Sequence, residues 1–172
     1  LAFRAVREVS KHLKEGWTEI QAAKLINTYL ADHGVHSQFH HGFAWFGERA
    51  GFEGMKSYKD FMPSQRVLLP GEGYILDVAP IYQGYVADIG FTGSLGENKN
   101  VEKAKTFLET LREEIPPLFR QRIEGSAIWK TIEKKIESQG YTNAYRKYPF
   151  SVLGHRVHRV SEGGSHLKVM NF

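Results

Sequence analysis

Asp77 and Asp88 are separated by ten residues in a stretch that is otherwise largely apolar, Gly73-Tyr74-Ile75-Leu76-Asp77-Val78-Ala79-Pro80-Ile81-Tyr82-Gln83-Gly84-Tyr85-Val86-Ala87-Asp88-Ile89. Aliphatic and aromatic residues on both sides of a glycine-containing turn read as a β-hairpin. Centred between Tyr82 and Gln83, that hairpin sets Asp77 directly opposite Asp88, with Cβ atoms about 5 Å apart. Two carboxylates so placed among Ile, Leu, Val and Tyr repel each other and lose hydration. A shared proton, a cation or a metal then has to compensate. Divalent metals accept carboxylate oxygens, and two of them about 3.5–4 Å apart form a hydrolytic clamp. The plainer alternative is a pair of turn-flanking aspartates facing solvent.

Cysteine is absent, so thiolate chemistry and disulfides are excluded and any metal must be held by Asp, Glu or His. The stretch Ser151-Val152-Leu153-Gly154-His155-Arg156-Val157-His158 offers two imidazoles, and His40-His41 offers two more ahead of Phe43-Ala44-Trp45-Phe46-Gly47. For each of these the ordinary reading is a hydrogen-bonded strand histidine.

These groups need elements to position them, and the chain supplies two similar sets. Thr18 followed by Gln21 forms a capping box, with Ala22, Leu25, Ile26 and Leu30 at helical spacing behind it. Ser126 is a second N-cap candidate, ahead of Ile128, Ile132 and Ile136. Gly34 and Gly140 stand where a left-handed C-cap is wanted. A further helical stretch precedes each set, Phe3 to Leu13 and Val101 to Arg120, and Pro116-Pro117 should break or kink the second. The order helix, helix, strands, helix, helix, strands reads as α+β with two related halves.

With 172 residues, 41% hydrophobic and 24% charged, the chain suits one globular domain over 1–172. No apolar run approaches the roughly 20 residues of a membrane span. No basic, apolar leader opens the sequence, so no signal peptide is expected, and Leu1 in first place points to a trimmed N-terminus. The net charge of +4 is spread over Lys and Arg that often neighbour Glu, which reads as a solvated mixed-charge surface rather than a nucleic-acid face. Freedom from cysteine fits a reducing compartment, and a cytoplasmic location is expected.

The spacing of Asp77 and Asp88, with Gly84-Tyr85 just before the second, resembles the signature of the M24 metallopeptidase family, to which aminopeptidase P, prolidase and methionine aminopeptidase belong. Leu69-Pro70-Gly71-Glu72 is similar to that family's turn into the strand. The resemblance implies the pita-bread fold, α+β with a pseudo-two-fold repeat of helix pairs around a curved antiparallel sheet. It implies two divalent ions (Mn, Co, Fe or Zn) held by Asp77 and Asp88, with a water activated between them to cleave a peptide or related amide in the manner of Xaa-Pro peptidases. Aligned on Gly154, Val157 and His158, the family pattern gives His158 substrate contact and proton transfer, and puts Ser151 where a ligand histidine belongs. In the other register Gly154-His155 matches methionine aminopeptidases and His155 becomes the metal ligand. His40 and His41 fall where the family lines its substrate pocket. Many relatives are dimers, so the resemblance carries the expectation of a homodimer.

Departures from the family pattern keep two other functions open. Asp60 stands where aminopeptidase P relatives carry a substrate-binding histidine, and Ile89-Gly90-Phe91-Thr92 replaces the frequent Ile-Thr-Arg-Thr. The family's two Glu ligands come from strands beyond the second histidine, whereas the last Glu here is Glu162, so either C-terminal strands are missing from the sequence, which is the expectation, or those ligands are lost. A metal-free hydrolase, as creatinase is on the same fold, and a non-catalytic binding module, as in histone chaperones, are the alternatives.

Overall fold

The computed structural model describes residues 1–142. Within them the chain forms two compact units, the first running to Asn98 and the second beginning at Lys99.

The first unit opens with α1 (Ala2–His12), whose buried residues Ala2, Ala5, Val6 and Val9 form one helical face. Next comes α2 (Glu19–Asp32), started by the expected capping box: the Gln21 amide donates to Thr18 Oγ1 at 3.1 Å, and the Thr18 amide donates to Gln21 Oε1 at 2.8 Å. Gly34 ends it in the left-handed region, with φ +78°. The strands β1 (Ser37–Phe46), β2 (Gly73–Tyr82), β3 (Tyr85–Val86) and β4 (Ile89–Ser94) make an antiparallel sheet in which β1 flanks one edge of β2, and β3 and β4 flank the other. Two short 3-10 turns, Gly47–Gly51 and Tyr58–Phe61, lie between β1 and β2.

Strand alternation divides the sheet into two faces. Ala44, Phe46, Tyr74, Leu76 and Val78 join Val6, Val9, Ile26 and Leu30 of the helices in the main core. Phe43 and Trp45 point the other way, with Met55, Phe52, Phe61 and Ile75 around them. Glu19 is wholly buried at the start of α2. Its carboxylate accepts from the amides of Phe46 and Ser64, from Ser64 Oγ and from Arg49 Nε, at 2.7 to 3.0 Å. One buried charge, fully hydrogen-bonded, thus ties α2, the end of β1 and the loop before β2 together.

The second unit is a helix pair, α3 (Lys99–Arg120) and α4 (Gly125–Ser138), joined through Leu111, Ile128 and Ile132. Two local expectations are corrected here. The N-cap of α4 is Glu124, and Ser126 lies inside the helix with its hydroxyl on Glu124 Oε1 at 2.8 Å. Helix α3 does not stop at Pro116-Pro117 but runs on to Arg120. Adjacent prolines remove two amide donors, and this close to the C-terminus the helix has few further turns to lose. Gly140 takes the expected left-handed conformation, with φ +77°. The strands expected after α4 lie outside the described residues. Among the described residues, no helix is long and apolar enough to cross a membrane.

Candidate metal centre

The turn after β2 fixes where the two aspartates meet. Gln83 and Gly84 have φ of +51° and +78°, the pattern of a two-residue type I′ hairpin turn, whose twist matches that of the flanking strands. The hairpin is therefore centred between Gln83 and Gly84, one residue later than the sequence reading placed it. Tyr82 pairs with Tyr85, Ile81 with Val86, and further down Val78 with Ile89 and Asp77 with Gly90. Asp77 faces Gly90 and not Asp88, which corrects the expected pairing. The displacement in register is two residues, an even number, so Asp88 stays on the face of Asp77 as a diagonal neighbour. Among the described residues, Gly90's own chain neighbours aside, no atom lies within 4 Å of the place a Gly90 Cβ would occupy.

Strand β1 brings a third group. Its pairing with β2 slips between Gln38 and His40 and again between His40 and Phe43, so that His40 pairs with Ala79 and Phe43 with Asp77. Each slip is a β-bulge, which re-aims the side chains around it. In an unbroken strand, residues 40 and 43 would point to opposite faces. Here their rings stack, with centroids 5.0 Å apart and planes 19° from parallel, and Phe43 stacks in turn on Trp45. His40 Nε2 lies 3.6 Å from Asp88 Oδ1 and 3.9 Å from Asp77 Oδ2. One donor atom from each of His40, Asp77 and Asp88 falls within 4.8 Å of the others, and all three residues are partly buried.

The second ring nitrogen of His40 is committed: Nδ1 lies 2.8 Å from the His41 carbonyl oxygen. A carbonyl only accepts, so Nδ1 carries the proton, and in the neutral ring Nε2 presents its lone pair toward the carboxylates. Burial lowers the affinity of this imidazole for a second proton. The Asp88 carboxylate, the His41 carbonyl and the charge of Asp77 outweigh that effect and hold its pKa above the ordinary value. Two carboxylates and an imidazole nitrogen converge, and the space between them can be filled by a proton on Nε2 or by a metal ion. An O,O,N set without sulfur suits Mn, Fe, Co or Zn better than the all-oxygen preference of Mg or Ca. The donor chemistry therefore fits a divalent transition metal.

The other expected site residues are placed as follows. His41 is exposed, and its carbonyl supports the neighbouring ring. Asp60 stands apart from the cluster: its Oδ2 accepts from the amides of Lys56 and Ser57 and from Ser57 Oγ, at 2.7 to 3.0 Å. Those bonds hold its carboxyl below the ordinary pKa. His155 and His158 lie outside the described residues, as does Ser151. His40 was expected at the substrate pocket and is found among the candidate ligands. The sequence did contain a signal for this, because an isolated glycine in a strand pattern, here Gly42, marks a bulge or a close backbone approach.

The family model of Metallopeptidase family M24 matches residues 1–169. A methionine aminopeptidase of Archaeoglobus fulgidus is 27% identical over 139 residues, covering 80% of this chain and 44% of that protein. The X-Pro aminopeptidase of Thermotoga maritima MSB8 superposes with a TM-score of 0.68 at 20% identity, over 81% of this chain and 38% of that one. A prolidase from Thermococcus sibiricus gives 0.65 at 19%, over 80% and 36%. The chain thus spans less than half the length of each of these relatives, and the structural likeness establishes the pita-bread fold.

Proposed function

The chain belongs to metallopeptidase family M24, and on that premise we propose that it is the site-bearing part of a metal-dependent peptidase that acts on the N-terminal end of a peptide, with an Xaa-Pro bond as the substrate to test first. The observation that carries the reading is the convergence of the Asp77 and Asp88 carboxylates with His40 Nε2 on one face of the sheet. Asp77 and Asp88 are the residues that would hold a divalent metal, and two ions if the centre is dinuclear. A metal bound there supplies Lewis-acid chemistry, polarising a carbonyl and lowering the pKa of a water to near neutrality.

The chain's own residues would do the rest. Gly90, across from Asp77, adds no side chain of its own at that position. The exposed Tyr58 ring, 6.0 Å from the buried Phe43 ring, offers apolar surface to a side chain flanking the scissile bond. His41 and Asp60, both exposed, are assigned hydrogen bonds to a peptide terminus. His158 is assigned proton transfer to the departing amine, and His155 a further ligand. The substrate range, the metal and the second ion belong to this reading.

Elemental analysis of the purified full-length protein tests it. The expected result is near-stoichiometric transition metal in the wild type and none in an Asp77→Asn/Asp88→Asn double variant, with turnover on an Xaa-Pro panel following the metal. Background metal in the wild type after reconstitution would refute the proposal and leave the metal-free alternative. Full metal content without turnover on any peptide would leave the binding module.

A further inference from the structure

Resting on the metal reading above, we infer that His40, on β1, is itself a ligand of that metal through Nε2, and that β1 is built to deliver it.

The distances lie within ion-pair range and also suit three ligands of one metal. Separations of 3.6 and 3.9 Å from Nε2 to the two carboxylates are longer than a nitrogen-oxygen hydrogen bond. They are close to the edge of a coordination tetrahedron, about 3.4 Å for bonds near 2.1 Å. The ring is also fixed in the form a ligand needs. Metal-bound histidine characteristically gives its other N–H to a carbonyl or carboxylate, which sets the tautomer and orientation, and the His41 carbonyl occupies that position on Nδ1. Stacking on Phe43 restricts rotation of the ring.

The backbone adds an independent reason. The two bulges place His40 on the Asp77 face, and they are clamped from the other side of the sheet. The Gly42 amide donates to Asn27 Oδ1 at 2.9 Å. A Cβ on Gly42 would stand 2.5 Å from Ile26 Cγ2, so only glycine permits α2 to approach this closely. A bulge that serves only to turn a strand needs no such clamp. This one sets the height and direction of a single imidazole against two carboxylates.

The inference is tested on the full-length wild-type protein, with 15N-labelled histidine, by long-range proton-nitrogen NMR during titration with Zn2+. His40→Gln identifies the resonances, and calorimetry on His40→Gln and Asp77→Asn gives the affinities. The expected result is a His40 ring that keeps its proton on Nδ1 while Nε2 moves into the metal-bound range at one equivalent. His40→Gln should bind Zn2+ at least about tenfold more weakly, the smallest loss associated even with outer-shell partners, and Asp77→Asn should lose binding. If Zn2+ binds in an Asp77-dependent manner while the His40 nitrogens stay put, the inference is overturned and the aspartate centre stands. If the wild type takes up no Zn2+, both fall together. The wild-type spectrum decides between these outcomes even where a variant fails to fold.

Discussion

Gly42→Ala is the sharpest perturbation of the arrangement, because it adds one methyl group and touches no donor. An ideal Cβ at residue 42 would lie 2.5 Å from Ile26 Cγ2, 3.0 Å from Ile26 Cβ and 3.3 Å from Asn27 Oδ1. Carbon-carbon contacts are comfortable at about 3.5–4.0 Å, so a movement of about 1 Å is needed. Ile26 cannot turn away: it is β-branched, fully buried and in the middle of α2, and its Cβ is also in the way. Either α2 lifts off the sheet or β1 gives up its bulge. Overpacking of this kind costs about 1–3 kcal/mol, and losing the bond to Asn27 would add about 1 kcal/mol. For a chain of this size each kcal/mol corresponds to roughly 2–4 °C in Tm, so a fall of about 2–16 °C is expected in a thermal unfolding scan. Zn2+ affinity should fall with it, since the cheaper escape is through the bulge that carries His40. Gly51→Ala, where nothing stands within 4 Å, is the control and should leave both unchanged. A Gly42→Ala protein that unfolds with the wild type would mean that α2 and β1 do not meet as described.

Three more outcomes can be checked. Glu19→Ala should destabilise the protein by about 3 kcal/mol, the lower end for breaking a buried pair because Arg49 is a quarter exposed; a loss well under 1 kcal/mol in urea titration would show that the charge is not the tie between α2 and β1. Gln83→Gly should raise stability by about 1 kcal/mol, because a left-handed residue with a Cβ carries that penalty and the change does not alter the strands; a lower Tm would contradict the type I′ turn. The Asp60 carboxyl is held below its ordinary pKa by the Lys56 and Ser57 amides and the Ser57 hydroxyl. Its contribution is therefore complete above the unfolded value of about 4 and is lost as pH falls below it. Asp60→Asn should reduce the acid-induced loss of stability measured by circular dichroism, and an unaltered acid limb would remove Asp60 from the account.

Much of this was legible in the sequence because it is local. The Thr18–Gln21 box and the left-handed Gly34 and Gly140 depend on a few neighbouring residues, and all three form as expected. That Asp77 and Asp88 share a face was legible for a different reason. Side chains alternate with period two, so an error of two residues in register leaves both on the same side. The pairing itself was missed because Gln83, with a Cβ, gave no sign that it would adopt positive φ. The place of His40 was not legible from alternation, and only the isolated Gly42 pointed to it. It follows from a contact between Gly42 and Ile26, on elements that local pattern cannot relate. Pro116-Pro117 do not break α3, so of the expected break or kink only the break is set aside.

The face opposite the main core explains why a site can form here without weakening the fold. The residues that hold the unit together, Val6, Ile26, Leu30, Leu76 and Val78 among them, lie between the helices and one side of the sheet. Asp77 alternates with them along β2 and so must point to the other side, where His40 and the Phe43–Trp45 stack also lie. Leu76 and Val78 bury the strand that carries Asp77, and they fix its height as firmly as the core itself. The β1 bulge does the same for His40 through Gly42, which faces Ile26 and Asn27 of α2. The donors therefore inherit their rigidity from packing on the far side of one sheet, and loss of metal should leave their relative positions nearly unchanged.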